Sequence, residues 1–285
     1  MKPKEKLEIA CAILHEPNSP YNKAQLSNSL GFSRTLWYYG STLEPQDKAI
    51  EKEIQSIYEI DDTLGHKKLA GITGCSKNKI LRIMHKYGLS PRKKKNKYYY
   101  PGKASTVFEN LANEASLPIR QEIIFSDIFE FKLMDGSKVR GCFALRKKTR
   151  QILSLCFDYG MRSSLVIQTI NRIDFSLNNP IWHSDQGRQY GSKRTINNLL
   201  NKGFIQSMSR AGTPTDNPFA ERFVKTFKLA VVYRERYETL GQLLYRAEKW
   251  INFYNNVRPH EGIDEMTPNK FAMENNLKTV PYITL

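Results

Sequence analysis

The chain has 285 residues, of which 40% are hydrophobic and 25% charged, a composition typical of globular and not of disordered proteins. Its 44 Lys and Arg residues outnumber its 28 Asp and Glu residues, which gives a formal net charge of +16. This excess indicates a polyanionic partner, with nucleic acid first and an acidic membrane surface second. The alternative is a soluble protein that is merely basic.

Neither a membrane span nor an exported protein is expected. No apolar run is long enough to cross a bilayer. The N-terminal stretch MKPKEKLEIACAILHEP predicts an amphipathic helix and not a signal peptide, because Glu8 breaks its apolar part and no small-residue cleavage site follows. The four cysteines form no C-x-x-C pair, which argues against a zinc ribbon or disulfide scaffold and fits the cytoplasm.

The first hundred residues predict helices alone. The stretch NKAQLSNSLGFSRTLWYYG predicts a short helix, a turn at Gly31, an N-cap at Ser33 and a second short helix. We therefore expect a helix-turn-helix-like domain at residues 1–45. The stretch PQDKAIEKEIQSIYEI then places four apolar side chains on one helical stripe: Ile50, Ile54, Ile57 and Tyr58.

A second helix-turn-helix unit is expected at residues 46–91. HKKLAGIT predicts a short helix, Gly74 a turn, and Ser76 the N-cap of a recognition helix over residues 76–87. The apolar face of this helix is Ile80, Ile83, Met84 and Tyr87, and Gly88 ends it. Its DNA-binding face is Lys77, Lys79, Arg82 and Lys86. The alternative is a solvated surface helix, but residues 67–103 contain 12 Lys or Arg and no Asp or Glu.

A basic linker is expected at residues 92–118. It begins with RKKKNKYYY, which mixes cations with aromatic rings, a combination suited to phosphate contact and base stacking. We expect a hinge that becomes ordered on DNA. The cations of this tract predicted to bind DNA are Arg92, Lys93, Lys94 and Lys95.

From residue 119 the pattern changes to a mixed α/β domain, which continues to residue 285. QEIIFSDIFEFKL, SKVRGCFALRK and RQILSLCFDYG predict a three-strand meander. A helix at 163–173, a strand in PIWHSD, a helix near 193–202, a strand in FIQSMS and a helix starting near Asn217 follow. Three antiparallel strands followed by alternating helices and strands are the order of the RNase H-like fold.

Three carboxylates of this domain are candidate metal ligands. Asp127 lies mid-strand on a face of phenylalanines, where an ionised carboxylate is costly unless paired or metal-bound. Asp185 follows a central strand, with 57 residues between it and Asp127, and Glu221 lies in the first turns of a helix, with 35 residues between it and Asp185. An all-carboxylate site suits two Mg²⁺ or Mn²⁺ ions. Such ions can activate the attacking oxygen and stabilise the leaving oxygen in phosphoryl transfer.

Each of these residues also has a structural alternative. Asp185 in SDQG can form an Asx-turn, and Glu221 can pair with Lys225 on a helix surface. Asp216 is expected to be the N-cap of the same helix and is given no chemical role. The joint pattern, more than any single residue, favours the catalytic interpretation.

Six stretches in this order resemble a known family, the DDE transposases of bacterial insertion sequences, specifically the OrfB type of the insertion-sequence-three family, relatives of retroviral integrases. GFSRTLWYY and LGHKKLAGITGCSKNKILRIMHKYGLSPRKKK resemble its DNA-binding units. FSDIFEF, HSDQGRQY and SMSRAGTPTDNPFAERFVKTFK resemble its catalytic segments, which here carry Asp127, Asp185 and Glu221. FYNNVRPHEGIDEMTPNKFA resembles its C-terminal signature. The chain departs from the family at LRKKTRQ, where the family usually has an aspartate-containing DLFSR-like turn.

The resemblance implies a transposase that uses two metal ions held by the three carboxylates. A water-derived oxygen would cut at the element's end and free a 3′-OH, which would then attack a second phosphodiester. Lys225 and Lys228, on the face of Glu221, are expected to hold DNA phosphates. The implied partners are double-stranded DNA at the terminal repeats and target, further copies of the chain on that DNA, and an upstream OrfA-type protein or fusion. The implied location is the bacterial nucleoid.

Two other functions compete with this interpretation. One is a nuclease of the same fold without strand transfer, against which the two helix-turn-helix units argue. The other is a non-enzymatic DNA-binding regulator derived from a transposase, which the loss of any carboxylate would have favoured. The chain begins with Met and is expected to be the OrfB portion alone.

Replacement of Arg82 by Ala should weaken DNA binding and flatten its dependence on salt. A lost phosphate contact lowers the slope of log K against log[salt] by about 1. Binding of duplex DNA measured from low to high salt tests this. An unchanged slope would leave the helix of residues 76–87 as an ordinary solvated surface.

Overall fold

The computed structural model describes residues 2–16, 19–38, 43–92, 106–112, 122–160, 162–173, 177, 179–210, 213 and 216–285. The chain divides into two units, Met1–Ile50 and Glu51–Leu285. The domain boundaries expected above remain predictions. Lys93, Lys94 and Lys95, with most of the expected linker, lie outside the described residues.

The first unit contains helices α1 (Pro3–Leu14) and α2 (Lys23–Leu30). Asn22 caps α2 by accepting hydrogen bonds from two backbone N–H groups, and Gly31 ends the helix with a φ of 62°. The second short helix predicted here is present at Arg34–Tyr38, as a 3-10 helix. The Trp37 indole connects it to α2, since it donates to Lys23 O and Ser27 Oγ.

The second helix-turn-helix unit has the predicted elements. Helix α3 (Leu43–Ile60) crosses the division between the units, and α4 (His66–Thr73) and α5 (Lys77–Lys86) follow. Ser76 Oγ caps α5 by accepting from the Lys79 N–H at 3.3 Å. Glycines with positive φ stand in the turn before α5 and after its end, at Gly74 and Gly88. The apolar face is buried at Ile80, Ile83 and Met84, as the spacing predicts.

A five-stranded mixed sheet forms the centre of the second unit, in the order β3-β2-β1-β4-β5. The first three strands form an antiparallel meander, and β4 and β5 run parallel to β1. The strands are β1 (Ile123–Lys132), β2 (Lys138–Arg146), β3 (Ile152–Asp158), β4 (Ile181–Ser184) and β5 (Ile205–Met208). This is the α/β, RNase H-like architecture that the sequence predicted.

Helices cover the sheet and complete the core. They are α6 (Ser163–Asn171), α7 (Lys193–Asn201), α8 (Pro218–Phe227), a π-helical turn (Lys228–Val232), α9 (Leu240–Asn256), a 3-10 turn (Glu261–Ile263) and α10 (Pro268–Glu274). The apolar side of α9 packs inward, with Trp250 against Phe223 and Phe227 of α8. This side of α9 is therefore part of the core. Within the described ranges, no helix has both the length and the apolarity to cross a bilayer.

Two acidic residues after α3 connect the second helix-turn-helix unit to the domain that contains the sheet. Asp61 is fully buried and pairs with Arg258 at 3.0 Å. Its neighbour Asp62 pairs with Arg92 at 3.0 Å and lies 3.8 Å from Arg234. A buried pair of this kind fixes geometry, because the loss of one partner leaves an uncompensated charge.

Replacement of Gly141 by Ala should lower the free energy of unfolding by about 1–3 kcal/mol through overpacking. The Phe129 ring lies across Gly141, and an added Cβ would fall 2.8 Å from its Cε1. Gly65→Ala is the matched control, since its added Cβ meets nothing within 4 Å. Urea unfolding of the full chain measures both. Equal stability of the two variants would contradict the packing argument.

Candidate active site

The sheet places Asp127 and Asp185 side by side. Strands β1 and β4 are parallel neighbours in which Phe125 pairs with His183. Asp127 lies two residues after Phe125 on β1, and Asp185 lies two residues after His183, directly beyond the end of β4, so both follow the paired residues at the same end of the two strands. Adjacent strands are about 4.8 Å apart. Both carboxylates are half-buried.

Helix α8 lies over this face and carries Glu221. Phe219, Phe223 and Phe227 of α8 contact sheet phenylalanines, with Phe219 on Phe125 at a ring distance of 5.1 Å. Asn217, at the N-cap position, donates from Nδ2 to the backbone oxygen of Ser126, the residue before Asp127. These contacts hold the helix against the strand that carries Asp127, and Glu221 is exposed on its flank.

The three carboxylates act on one another electrostatically. Burial raises the pKa of Asp127 well above its usual range, and the charges of Asp185 and then Glu221 add to that rise. Burial also raises the pKa of Asp185. Backbone N–H groups oppose both shifts, since Ile128 donates to Asp127 at 2.7 Å and Gly187 donates to Asp185 at 3.0 Å. A cation bound beside Asp127 and Asp185 would lower both raised pKa values, because it favours the charged form of a carboxyl.

The contact to Gly187 is the Asx-turn that the sequence offered as an alternative for Asp185. Asp185 Oδ1 accepts this hydrogen bond, and a Cβ added at Gly187 would lie 2.9 Å from the same oxygen. Glycine at 187 thus lets the backbone close onto the carboxylate. The turn orients Asp185 and is compatible with a ligand role for the other oxygen.

His183 is a site residue whose role the sequence alone did not reveal. It is fully buried on β4, two residues before Asp185, with Nδ1 2.9 Å from Ser207 Oγ and Nε2 3.0 Å from Ser209 Oγ. Burial lowers its pKa to about 4, although the nearby Asp216 charge opposes this shift. The neutral ring therefore ties β4 to β5 next to the site. Its position in HSDQG, beside a candidate ligand, was the available signal.

The prediction that Asp216 caps α8 is wrong. Asn217 occupies the N-cap position, and no side chain caps the helix there. The Asp216 carboxylate is buried and accepts from the backbone N–H, Nε and Nη2 of Arg210, each at 2.9–3.0 Å. Hydrogen bonds and the charge of Arg210 lower the pKa of Asp216 to about 2. A guanidinium offers more to a buried carboxylate than helix N–H groups do.

The two lysines expected beside Glu221 differ in their surroundings. Lys225 is exposed on α8. Lys228 is half-buried and starts the π-helical turn, with its Nζ 5.9 Å from the centre of the Phe129 ring. Burial lowers the pKa of Lys228, and the charges of Asp127 and Glu130 oppose this shift. Lys228 is therefore a counter-charge close to Asp127.

The residues predicted to bind DNA in the second helix-turn-helix unit lie mostly at the surface. Lys77, Arg82 and Lys86 are exposed on α5, and Lys79 is half-buried. Lys77 Nζ lies 3.5 Å from Glu265 Oε1, a contact between two exposed side chains that is weak in water. Arg92 is engaged within the chain, because its guanidinium pairs with Asp62 and donates to Tyr233 O.

The donor set fits a hard divalent cation. Two facing carboxylates with raised pKa values and a third in electrostatic range supply the oxygen ligands that Mg²⁺ and Mn²⁺ prefer. The carboxylates are not drawn together into a closed site, however. Among the described residues, no group of three or more His, Cys, Asp or Glu side chains is arranged to hold a metal ion.

Comparison with protein families identifies the sheet domain. Two family models, both of an integrase core domain, match residues 119–214 and 202–268. Together they cover β1 to α9 and include all three carboxylates.

Whole-protein relatives extend the similarity. An uncharacterized transposase-like protein of Haemophilus influenzae is 30% identical over 67% of this chain and 89% of that protein. The putative transposase InsK for insertion sequence element IS150 of Escherichia coli is 24% identical over 94% of this chain and 99% of that protein. The transposase for insertion sequence element IS904 of Lactococcus lactis is 38% identical, over 34% of this chain and 38% of that protein.

The free energy of unfolding should decrease as the pH is lowered, because of His183. Its folded pKa of about 4 lies below the ordinary 6.5, so the unfolded state binds the proton first as the pH falls. The stabilisation is complete above pH 6.5 and is lost between pH 6.5 and 4, by about 3 kcal/mol.

Replacement of His183 by Gln should remove this part of the pH dependence, since the amide does not titrate. His85→Gln, at an exposed position of α5, is the control. Denaturant unfolding at pH 7.5 and pH 4.5 measures the difference. A His183→Gln variant with the slope of the parent would contradict the assignment.

Proposed function

We propose that this chain, which belongs to the insertion-sequence transposases with an integrase core domain, carries out its polynucleotidyl transfer at Asp127, Asp185 and Glu221. The DDE transposase family acts on DNA, and DNA is the substrate here. The observation that carries the residue assignment is the position of Asp127 and Asp185, each two residues after the paired Phe125 and His183 of two parallel strands, with α8 and Glu221 over them. Such a pair of half-buried carboxylates has no structural partner that would offset its repulsion in full.

Asp127, Asp185 and Glu221 would hold two Mg²⁺ or Mn²⁺ ions. Bound there, such ions activate the attacking oxygen and stabilise the leaving oxygen of a phosphodiester. Glu221 is exposed on α8 and completes the set when the substrate draws the helix flank and the sheet together. The rest of the site is fixed by the hydrogen bonds of His183 and Asn217.

The reaction takes place in two steps at the same residues. In the first, water is the nucleophile and the phosphodiester at the element's end is cut, which frees a 3′-OH. In the second, that 3′-OH attacks a phosphodiester of the target, and the target strand leaves with its own 3′-OH. The number of phosphodiester bonds is conserved in the second step. Lys225 and Lys228 lie one and two turns after Glu221 and hold the phosphates of the reacting strand.

The helical region would supply site recognition. Helix α5 presents Lys77, Lys79, Arg82 and Lys86, which suits insertion into a major groove. Residues 1–45 and 46–91 are proposed as two DNA-binding units and residues 92–118 as the basic connection to the catalytic domain at 119–285. The tract from Arg92 to Lys95 would add phosphate contacts.

Transposition joins two DNA ends to a target, so we propose that several copies of the chain assemble on DNA at the nucleoid. Each copy brings one set of carboxylates, and two ends need two sets. The OrfB type within the insertion-sequence-three family is part of the same proposal. It carries the expectation of an upstream OrfA-type partner or fusion.

Replacement of Asp185 by Asn should abolish cleavage and leave DNA binding intact, since one ligand is lost and the basic surface is not. The assay uses labelled DNA from either side of this gene, with Mg²⁺ or Mn²⁺, and detects a new 3′-OH and joined products. Asp135→Asn is the matched control, because it changes the same atoms in the β1–β2 turn. Cleavage by Asp185→Asn at the parental rate would refute the site.

The same assay separates the roles of the chain and of an upstream partner. Binding without cleavage by the parental chain, followed by cleavage once the OrfA-type fusion is added, would support the need for that partner. Binding without cleavage in both cases would instead support a DNA-binding regulator.

A further inference from the structure

Four cations from four separate segments surround His260. Lys68 comes from α4, Arg150 from the turn between β2 and β3, Arg222 from α8, and Arg258 from the segment after α9. Each of them lowers the pKa of His260 through its charge, in addition to the larger effect of burial. We call these four cations with His260 the cation pocket. It is distinct from the three carboxylates.

Contacts between the segments build the pocket. The His260 ring lies edge-on to Tyr254 at 4.6 Å. The Arg150 guanidinium stacks on the Phe219 ring at 4.1 Å. A Cβ added at Gly262 would lie 3.4 Å from Nη2 of Arg150, so a glycine there lets the arginine pass close to the backbone.

The backbone of Arg150 is itself unusual. Its φ of 63° lies in the left-handed region, which costs an ordinary side chain free energy. Observed strain at a residue whose side chain enters a charged pocket indicates that the side-chain position matters. Arg150 belongs to the basic LRKKTRQ turn, the point where the chain departs from its family.

Cations outnumber the acids that act on them in the pocket. Arg258 and Arg222 act on Lys68 through their charges together with Asp61 and Glu261, so three cations stand against two acids there. Burial and the charge of Arg258 lower the pKa of Lys68 to about 8. Arg258 is buried and Lys68 and Arg150 are half-buried, so an excess of positive charge at this place favours the capture of an anion.

Two nitrogen atoms of the pocket also lack partners. His260 Nε2 and Arg258 Nε are shielded from solvent and have no hydrogen-bond partner among the described residues. A buried polar atom left unpaired is costly, and an absent ion is one accepted explanation. A phosphate offers oxygens to several such donors, and arginine forks match its geometry.

We propose that the cation pocket binds a backbone phosphate of the DNA that the active site processes. This rests on the proposed function, because it takes the DNA to be that of the same complex. Arg222 follows Glu221 directly on α8, and Lys68 lies on α4, which packs against α5. The pocket therefore has one member next to Glu221 and another on the helix that packs against α5. The phosphate would link the recognition helix and the catalytic helix through one ligand.

The test measures binding of end duplexes that carry one neutral methylphosphonate at each position in turn. It is done in EDTA with the full chain, so that cleavage plays no part. The variants are Arg222→Gln, at an exposed position, and Arg150→Asn, since asparagine tolerates a positive φ. Lys270→Gln is the matched control, an exposed cation of α10 that pairs only weakly with Glu274.

We expect one methylphosphonate position to weaken binding of the parental chain by about tenfold. A methylphosphonate at that position should cause no further loss of DNA binding by the Arg222→Gln or Arg150→Asn variant, because the phosphate contact is already missing. Both variants should reduce the salt slope by about 1, and Lys270→Gln should not. The absence of any such position would overturn the proposal. A lower melting temperature with an unchanged salt slope would also overturn it, because the pocket would then be only a structural bridge.

The outcome is independent of the catalytic assignment. Asp185→Asn tests the carboxylates by cleavage in metal, and the pocket is tested by binding without metal. One outcome is that Asp185→Asn still cleaves, while one methylphosphonate weakens binding by the parental chain and not by Arg222→Gln. This would refute the catalytic assignment and support the phosphate site in the cation pocket. The opposite outcome is that Asp185→Asn loses cleavage and no methylphosphonate position depends on Arg222. This would support the catalytic assignment and refute the phosphate site.

Discussion

The repulsion between Asp127 and Asp185 is the constraint around which the catalytic domain is built. Parallel pairing of β1 and β4 continues as far as Phe125 and His183, and the two carboxylates each follow two residues later. The aromatic layer between the sheet and α8 removes water that would otherwise screen them. Two backbone N–H groups and the partly buried Lys228 compensate only in part, because both pKa values remain raised. The folded sheet therefore favours the binding of a cation between these carboxylates.

Helix α8 transmits this constraint to the surrounding structure. Its inner face packs through phenylalanines, and its N-terminus is fixed to β1 by Asn217. Glu221 and Arg222 are neighbours on the helix, so one segment serves the carboxylates and the cation pocket. A shift of α8 would alter both sites at once. The π-helical turn after it sets the position of Lys228 against Phe129.

Local pattern was sufficient to predict most elements of the fold, and Asp127, Asp185 and Glu221 remain the carboxylates that it proposes for the site. The alternation in FSDIFEF predicted β1 and placed Asp127 on its phenylalanine face, and the cap at Ser76 predicted the start of α5. What failed depended on partners distant in space or on competition between partners. Asp216 satisfies every sequence rule for an N-cap, yet Arg210 binds it more strongly. The short helix predicted after Ser33 is present, but its contact to α2 through the Trp37 indole could not be read from local pattern. The cation pocket draws on four segments, so no window of sequence contains it.

A chain with a net charge of +16 has few acids, and the structure uses two of them to join its parts. Asp61 and Asp62 hold Arg258, Arg92 and Arg234, so the second helix-turn-helix unit is fixed to the domain that carries the carboxylates. Arg258 belongs both to this junction and to the cation pocket. A phosphate in the pocket would therefore compete with Asp61 for Arg258 or bind beside it. In that proposal, DNA binding and the junction between the two parts would share the same guanidinium, and recognition would not be energetically separate from the position of the active site.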